Sequence, residues 1–115
     1  MSATPILVSA RRDNPLCGDT IELSVGIVEG VVHPAGHQAR ACSLVVTSAA
    51  LLSNVVAGKT VVDARAFADR IERAVSGLEA LPGGCDSIAP VLLLPARRRC
   101  ALLPWQALRD TLAGQ

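Results

Sequence analysis

The chain has 115 residues and a formal net charge of +1; 50% of its residues are hydrophobic and 2% are aromatic. This length predicts one domain, residues 1–115, with an aliphatic core. The near-neutral charge excludes the basic footprint of a nucleic-acid-binding protein. The most apolar stretch, residues 44–57, is interrupted by polar residues and is too short for a membrane span.

The N-terminal apolar run, residues 5–8, is too short for a signal peptide, and Arg11 and Arg12 follow it rather than precede it. We therefore expect a cytoplasmic protein. Cytoplasmic thiols stay reduced, so its four cysteines are expected to be ligands or nucleophiles rather than disulfides.

The first third of the chain predicts a small antiparallel sheet. Residues 6–9 suit a short strand, and residues 11–16 read as a polar turn around Pro15. Residues 20–27 then alternate strictly between apolar and polar side chains, which is typical of a half-buried strand. Glu29-Gly30 is a turn candidate, and residues 31–38 return as a second strand.

Pro34 and Gly36 lie within this returning strand, so we expect it to be irregular or to lie at a sheet edge. A helix follows over residues 43–57. It is apolar on nearly all sides, which predicts a buried helix, and Gly58 suits its C-terminal end.

Thr60 is a predicted N-cap for the next helix, with Asp63 at the capping-box position. Apolar residues recur at helical spacing from Phe67 to Leu78, and Pro82-Gly83-Gly84 is expected to break the helix. A last helix is predicted from about Leu102 to Ala113, with Pro104 in its first turn.

Three thiols and one carboxylate form the strongest chemical pattern: Cys17, Asp19, Cys42 and Cys100. These residue types can hold zinc or an iron–sulfur cluster. Gly18 allows the backbone to turn so that Cys17 and Asp19 face one ion. Cys42 and Cys100 precede predicted helices, whose N-termini favour thiolate. The alternative is three small buried thiols and a turn aspartate.

The remaining candidates are weaker. Arg97, Arg98 and Arg99 add positive charge beside Cys100 or form a solvated loop. Cys85 matches no ligand spacing. His33 and His37 could be ligands but are more often surface residues, and Trp105 is expected to anchor the core. Gly58-Lys59-Thr60 lacks the first glycine of a phosphate-binding loop, since Ser53 stands there.

Several motifs together resemble the NifU-like iron–sulfur assembly scaffolds. They are Asn-Pro-x-Cys-Gly-Asp at 14–19, Cys42 opening an apolar helix, Gly58-Lys59-Thr60, Pro95-Ala96-Arg97 and the segment from Cys100 to Leu108. The chain is most similar to the SufU type, because the IscU type has a histidine where Arg99 stands and a Leu-Pro-Pro-Val-Lys motif that is absent here.

The resemblance implies an α+β fold, a small antiparallel sheet with helices packed on one face. It implies a metal site of Cys17, Asp19, Cys42 and Cys100, holding zinc in SufU-type proteins or a [2Fe–2S] cluster in IscU-type relatives. It also implies that Cys42 and Cys100 accept persulfide sulfur from a cysteine desulfurase, with Arg97 supporting the nearby loop. Iron–sulfur acceptor proteins would lie downstream.

Two departures from the family qualify this interpretation. Only thirteen residues precede Asn14, so the domain is expected to be shortened at its N-terminus. Ala41 replaces the glycine usual before the second cysteine. The alternative function is a zinc-stabilised protein-interaction module that has lost sulfur transfer. A small transferase has only the thiols in its favour.

The short N-terminus also predicts an uncovered apolar patch at Leu23, Val25 and Ile27. We expect a second copy to cover it, giving a homodimer, or a partner protein. The competing expectation is that residues 6–9 fold back as an extra strand and close the patch.

Overall fold

The computed structural model describes residues 6–14, 18–113 and 115. Within those residues it contains three strands, three α-helices and two short 3₁₀ segments. In chain order these are β1 (Ile6–Asn14), β2 (Asp19–Val28), β3 (Val31–Arg40), α1 (Ser43–Val56), α2 (Val61–Val75), the 3₁₀ segments Asp86–Leu93 and Pro95–Arg97, and α3 (Arg98–Leu112). The predicted α+β class is confirmed.

The sheet is antiparallel in the order β1-β2-β3, so β2 is central. The alternation predicted for β2 is confirmed, because Ile21, Leu23 and Val25 are fully buried while Glu22 between them is exposed. These side chains belong to the same core cluster as residues of all three helices. The helices pack on this apolar face of the sheet.

β1 is longer than predicted. The expected strand over residues 6–9 continues to Asn14, which pairs with Asp19 at the start of β2. The polar turn predicted from residue 11 is therefore wrong over residues 11–14. Residues 11–13 are exposed positions on an edge strand. Their side chains are polar because they face solvent, and not because the chain turns there. Residues 15–17, which include Cys17, lie outside the described residues.

A tight turn joins β2 to β3, as predicted. Glu29 and Gly30 have φ angles of 51° and 77°, which is the left-handed pair that a two-residue hairpin requires. The pairing register shifts between Ser24 and Val25, opposite Gly36 and Pro34. The predicted irregularity and edge location of this strand are both confirmed.

Two helix boundaries differ from prediction by more than one residue. α2 ends at Val75, and Gly77 adopts a φ of 85° just beyond it, so the helix stops before Leu78, which is 75% exposed. α3 begins at Arg98, earlier than the predicted Leu102. Pro104 consequently lies inside this helix rather than in its first turn.

The prediction of an uncovered apolar patch on β2 is wrong. Leu23 and Val25 have no exposed surface and Ile27 has 6%. β1 pairs along β2 and α3 contacts both strands, so the competing expectation, an added N-terminal strand, describes the fold. Within the described ranges, no helix has the length and apolar character needed to cross a bilayer.

Candidate metal centre

Three of the four predicted ligands meet at one point. The potential ligand atoms of Asp19, Cys42 and Cys100 all lie within 4.8 Å of one another. Asp19 is 7% exposed and Cys100 is 4% exposed, whereas Cys42 is half-buried. Of these three residues, Cys42 is therefore the most accessible to solvent.

The start of β2 and the start of α1 are joined at this cluster. Cys42 is the N-cap of α1 and has an extended backbone, with φ −66° and ψ 165°. Its backbone N–H donates to Asp19 Oδ1 at 3.3 Å. This hydrogen bond turns the carboxylate of Asp19 toward the helix start, where the macrodipole also favours negative charge.

α3 supplies the other thiol. Because this helix begins at Arg98, Cys100 lies within its first turn. The sequence placed Cys100 just before a helix, and the earlier start moves it inside. Either position keeps the thiol at the positive end of the helix dipole. Cys17, the fourth predicted ligand, lies outside the described residues.

The donor set fits a thiophilic metal ion. Two sulfur atoms and one carboxylate oxygen are the ligand types of tetrahedral zinc sites, whose Zn–S bonds of about 2.3 Å place the ligands roughly 3.8 Å apart. The observed separations within 4.8 Å require only a small closure to reach that spacing. Asp19, Cys42 and Cys100 are therefore suited to hold such an ion.

The supporting role expected of Arg97 stays a prediction. Arg97 is the exposed N-cap residue of α3. The next residue, Arg98, donates from Nη2 to the backbone carbonyl of Leu92 at 3.0 Å. This bond ties the 3₁₀ segment Asp86–Leu93 to Arg98, the first residue of α3, two residues before Cys100.

Cys85 and the histidines are not gathered at this centre. Cys85 is fully buried at the start of a 3₁₀ segment, and burial raises the pKa of its thiol, which matches an inert core cysteine. His33 and His37 are exposed on β3. Gly58 and Lys59 make backbone hydrogen bonds to Val32, a structural use of the segment that was discounted as a phosphate loop.

A buried hydrogen bond between Ser48 and Trp105 was not predicted from the sequence. Trp105 Nε1 donates to Ser48 Oγ at 2.9 Å, linking α1 to α3. The expected core role of Trp105 is confirmed, since it is fully buried. The available signal was that a buried indole N–H usually has a hydrogen-bond partner.

Two curated proteins resemble the chain over most of its length. One is an iron-sulfur cluster assembly scaffold protein, IscU, from Streptococcus pyogenes serotype M1. It is 30% identical over 108 residues, which cover 90% of this chain and 68% of that protein. The other is a zinc-dependent sulfurtransferase, SufU, from Bacillus subtilis strain 168. It is 29% identical over 107 residues, covering 90% of this chain and 73% of that protein.

A solved structure gives the same result at the level of the fold. The crystal structure of a nitrogen-fixing NifU-like protein (N-terminal) from Brucella abortus superposes with a TM-score of 0.80 at 26% identity, covering 96% of this chain and 78% of that chain. The model of the NifU-like N terminal domain family matches residues 3–109. The chain therefore belongs to the NifU-like N terminal domain family.

Proposed function

We propose that this protein accepts sulfur from a cysteine desulfurase and serves iron–sulfur cluster assembly, as a zinc-bound sulfur acceptor or as a scaffold. The observation that carries this proposal is the convergence of Asp19, Cys42 and Cys100 within 4.8 Å. Its relatives named IscU and SufU support the same role. The protein would act as a carrier that is loaded and unloaded, rather than as an enzyme with its own small-molecule substrate.

Sulfur transfer to a thiolate needs no external oxidant. The acceptor thiolate attacks the outer sulfur of the desulfurase persulfide, a new S–S bond forms, and the desulfurase thiolate leaves. Cys42 suits the first attack because it is half-buried, whereas Cys100 is only 4% exposed. Cys100 is then the acceptor inside the cluster, available once the helix start moves or after transfer from Cys42.

The metal ligands proposed are Cys17, Asp19, Cys42 and Cys100, with Cys17 assigned from its motif alone. Zinc, when bound, supplies positive charge that keeps its coordinated thiols deprotonated. Asp19 provides the harder, more exchangeable oxygen donor and is oriented by the N–H of Cys42. Arg97 is the residue proposed to support the loop beside Cys100, and the bond of Arg98 to the Leu92 carbonyl would steady the same region.

The partners that follow are a cysteine desulfurase and, downstream, iron–sulfur acceptor proteins. A desulfurase must bring its persulfide to Cys42, so it has to approach the end of the domain where α1 begins. The proposal places the protein in the cytoplasm, where thiols remain reduced.

Persulfide transfer is the direct test. The protein is incubated with a cysteine desulfurase and cysteine, and each cysteine is examined by mass spectrometry. We expect an added sulfur, about 32 Da, on Cys42 or Cys100, and its loss from that position in Cys42→Ser or Cys100→Ser. Cys85→Ser is the matched control and should take up sulfur as the wild type does.

Metal analysis distinguishes a zinc-bound sulfur acceptor from an iron–sulfur cluster scaffold. We expect near-stoichiometric zinc in the aerobically purified wild type. In Asp19→Ala we expect the zinc dissociation constant to rise at least about tenfold. Iron with visible absorbance in the wild type would favour a cluster scaffold over the zinc form. Zinc retained without any sulfur uptake would overturn sulfur transfer and leave a zinc-stabilised interaction module.

A further inference from the structure

A buried hydrogen-bond relay connects the two helices that carry the thiols. The Ser48 hydroxyl donates to the backbone carbonyl of Ala101 at 2.6 Å and accepts from Trp105 Nε1 at 2.9 Å. Ser48, Ala101 and Trp105 all have no exposed surface. The relay is thus a polar contact inside an otherwise aliphatic core, where an unmade hydrogen bond is costly.

The relay joins the two helices that carry Cys42 and Cys100. Ser48 belongs to α1, the helix that begins after Cys42, and Ala101 is covalently adjacent to Cys100. The hydrogen bond from Ser48, in the second turn of α1, to the Ala101 carbonyl therefore ties the start of α3 to α1. It leaves the thiol of Cys100 facing Cys42 and Asp19.

Pro104 makes this tertiary bond more important. In a regular helix, the N–H of residue 104 would donate to the carbonyl of residue 100. A proline has no N–H, so that bond cannot form, and its ring crowds the same carbonyl. The first turn of α3 is therefore less firmly defined by its own helix, and the Ser48 bond at the next carbonyl supplies an external constraint.

We propose that Ser48 and Trp105 are positioning residues that hold Cys100 in ligand geometry against Cys42 and Asp19. Trp105 orients the serine hydroxyl by donating to it, and the hydroxyl in turn fixes the start of α3. The metal-binding part of this inference rests on the proposed function. The claim that the relay positions Cys100 is independent of the proposed function, because the alkylation rate of Cys100 can be measured in the metal-free protein.

Three variants test the relay. Ser48→Ala removes the hydroxyl, and Trp105→Phe removes the indole N–H while keeping an aromatic ring. Val56→Ala is the matched control, because Val56 is fully buried on the same helix at its opposite end. All comparisons are made under conditions where circular dichroism shows each variant fully folded.

The first measurement uses Co²⁺ as the probe. We expect Ser48→Ala and Trp105→Phe to raise the Co²⁺ dissociation constant about tenfold to a hundredfold, the usual effect of losing a group that orients a ligand. The sulfur-to-cobalt absorption bands should shift as well. Val56→Ala should leave both the affinity and the bands unchanged.

The second measurement uses iodoacetamide on metal-free protein, with the alkylation of each cysteine followed by mass spectrometry. We expect Cys100, 4% exposed in the structure, to react several times faster in Ser48→Ala and Trp105→Phe than in Val56→Ala. Cys85 serves as an internal reference, since it is fully buried and should stay protected unless the whole domain opens.

The outcomes are separable. Equal Cys100 alkylation in Ser48→Ala, Trp105→Phe and Val56→Ala would overturn the positioning role, whatever the metal affinity. A wild type that binds no Co²⁺ would count against the proposed metal function, while the alkylation rates would still decide the relay. If Ser48→Ala does not fold, Trp105→Phe alone carries the comparison.

Discussion

Cys42 and Cys85 carry the same thiol in opposite surroundings. Cys42 caps a helix, is half-buried and donates its backbone N–H to a carboxylate. Cys85 is enclosed by the core, and its raised pKa comes first from burial and then from Asp86, with Arg70 opposing. The helix-start position of Cys42 was predictable from the sequence, but the burial of Cys85 was not, because Pro82-Gly83-Gly84 indicates a loop. The bond from Arg98 to the Leu92 carbonyl was not predictable either, because side-chain direction depends on the local turn.

The raised pKa of Cys85 predicts an alkaline loss of stability. The thiol ionises near its ordinary pKa of 9.0 when the chain is unfolded but only at higher pH when folded. The unfolded state therefore releases its proton first, and the free energy of unfolding falls as pH rises above about 9. Below about pH 9 the thiol is protonated in both states, so Cys85 ionisation does not lower the free energy of unfolding there. We expect Cys85→Ala to lack this part of the slope.

Urea denaturation from pH 7 to pH 10.5 measures the effect. Cys85→Ala should lose about 1 kcal/mol at pH 7, where a methyl-sized cavity is the main change, and the two proteins should converge at alkaline pH. Parallel curves for the two proteins across the whole range would contradict the assignment. All other titrating groups are shared, so the difference isolates Cys85.

A strand or helix could be predicted from the sequence where its apolar side chains recur at a regular spacing. β2 was predictable because every second side chain enters the core, and the Glu29-Gly30 turn because of its composition. The polar end of β1 was not, since an exposed edge strand has no apolar signal. The early end of α2 depends on one glycine, Gly77, which competes with an apolar pattern that continues to Leu78.

The N-cap of α2 gives a prediction for one element. Thr60 Oγ1 accepts a hydrogen bond from the Asp63 backbone N–H at 3.1 Å, as the sequence indicated. Thr60→Ala leaves that N–H without its cap and should lower the free energy of unfolding by about 1 kcal/mol. Chemical denaturation measures this loss. Thr60→Ser keeps the hydroxyl and should cost much less; an equal loss in both variants would contradict a capping role.

The whole molecule brings together segments that the sequence keeps far apart. Asp19 comes from the start of the central strand, Cys42 from the start of α1 and Cys100 from the start of α3. The residue types and their helix-start positions could be predicted from the sequence. The residue types left their convergence as one of two alternatives, and the family resemblance favoured it, because convergence depends on how α1 and α3 pack on each other and on the sheet.

The covered sheet makes a final prediction about assembly. An exposed patch at Leu23 would have allowed a charged substitution to separate a dimer while each copy stayed folded. In the structure Leu23 is fully buried. An aspartate at this position would place either a carboxylate or a protonated carboxyl group among aliphatic side chains. That costs several kcal/mol, a large part of the roughly 5–15 kcal/mol that stabilises a domain.

We therefore expect Leu23→Asp to unfold the protein, or to lower its free energy of unfolding by more than about 4 kcal/mol. Leu7→Asp is the matched control, because Leu7 lies on the neighbouring strand and is 70% exposed; it should change stability by about 0.5 kcal/mol or less. Circular dichroism and sedimentation velocity on both variants distinguish the cases. A folded Leu23→Asp whose sedimentation coefficient falls relative to the wild type would contradict the buried sheet face and restore a dimer interface on β2.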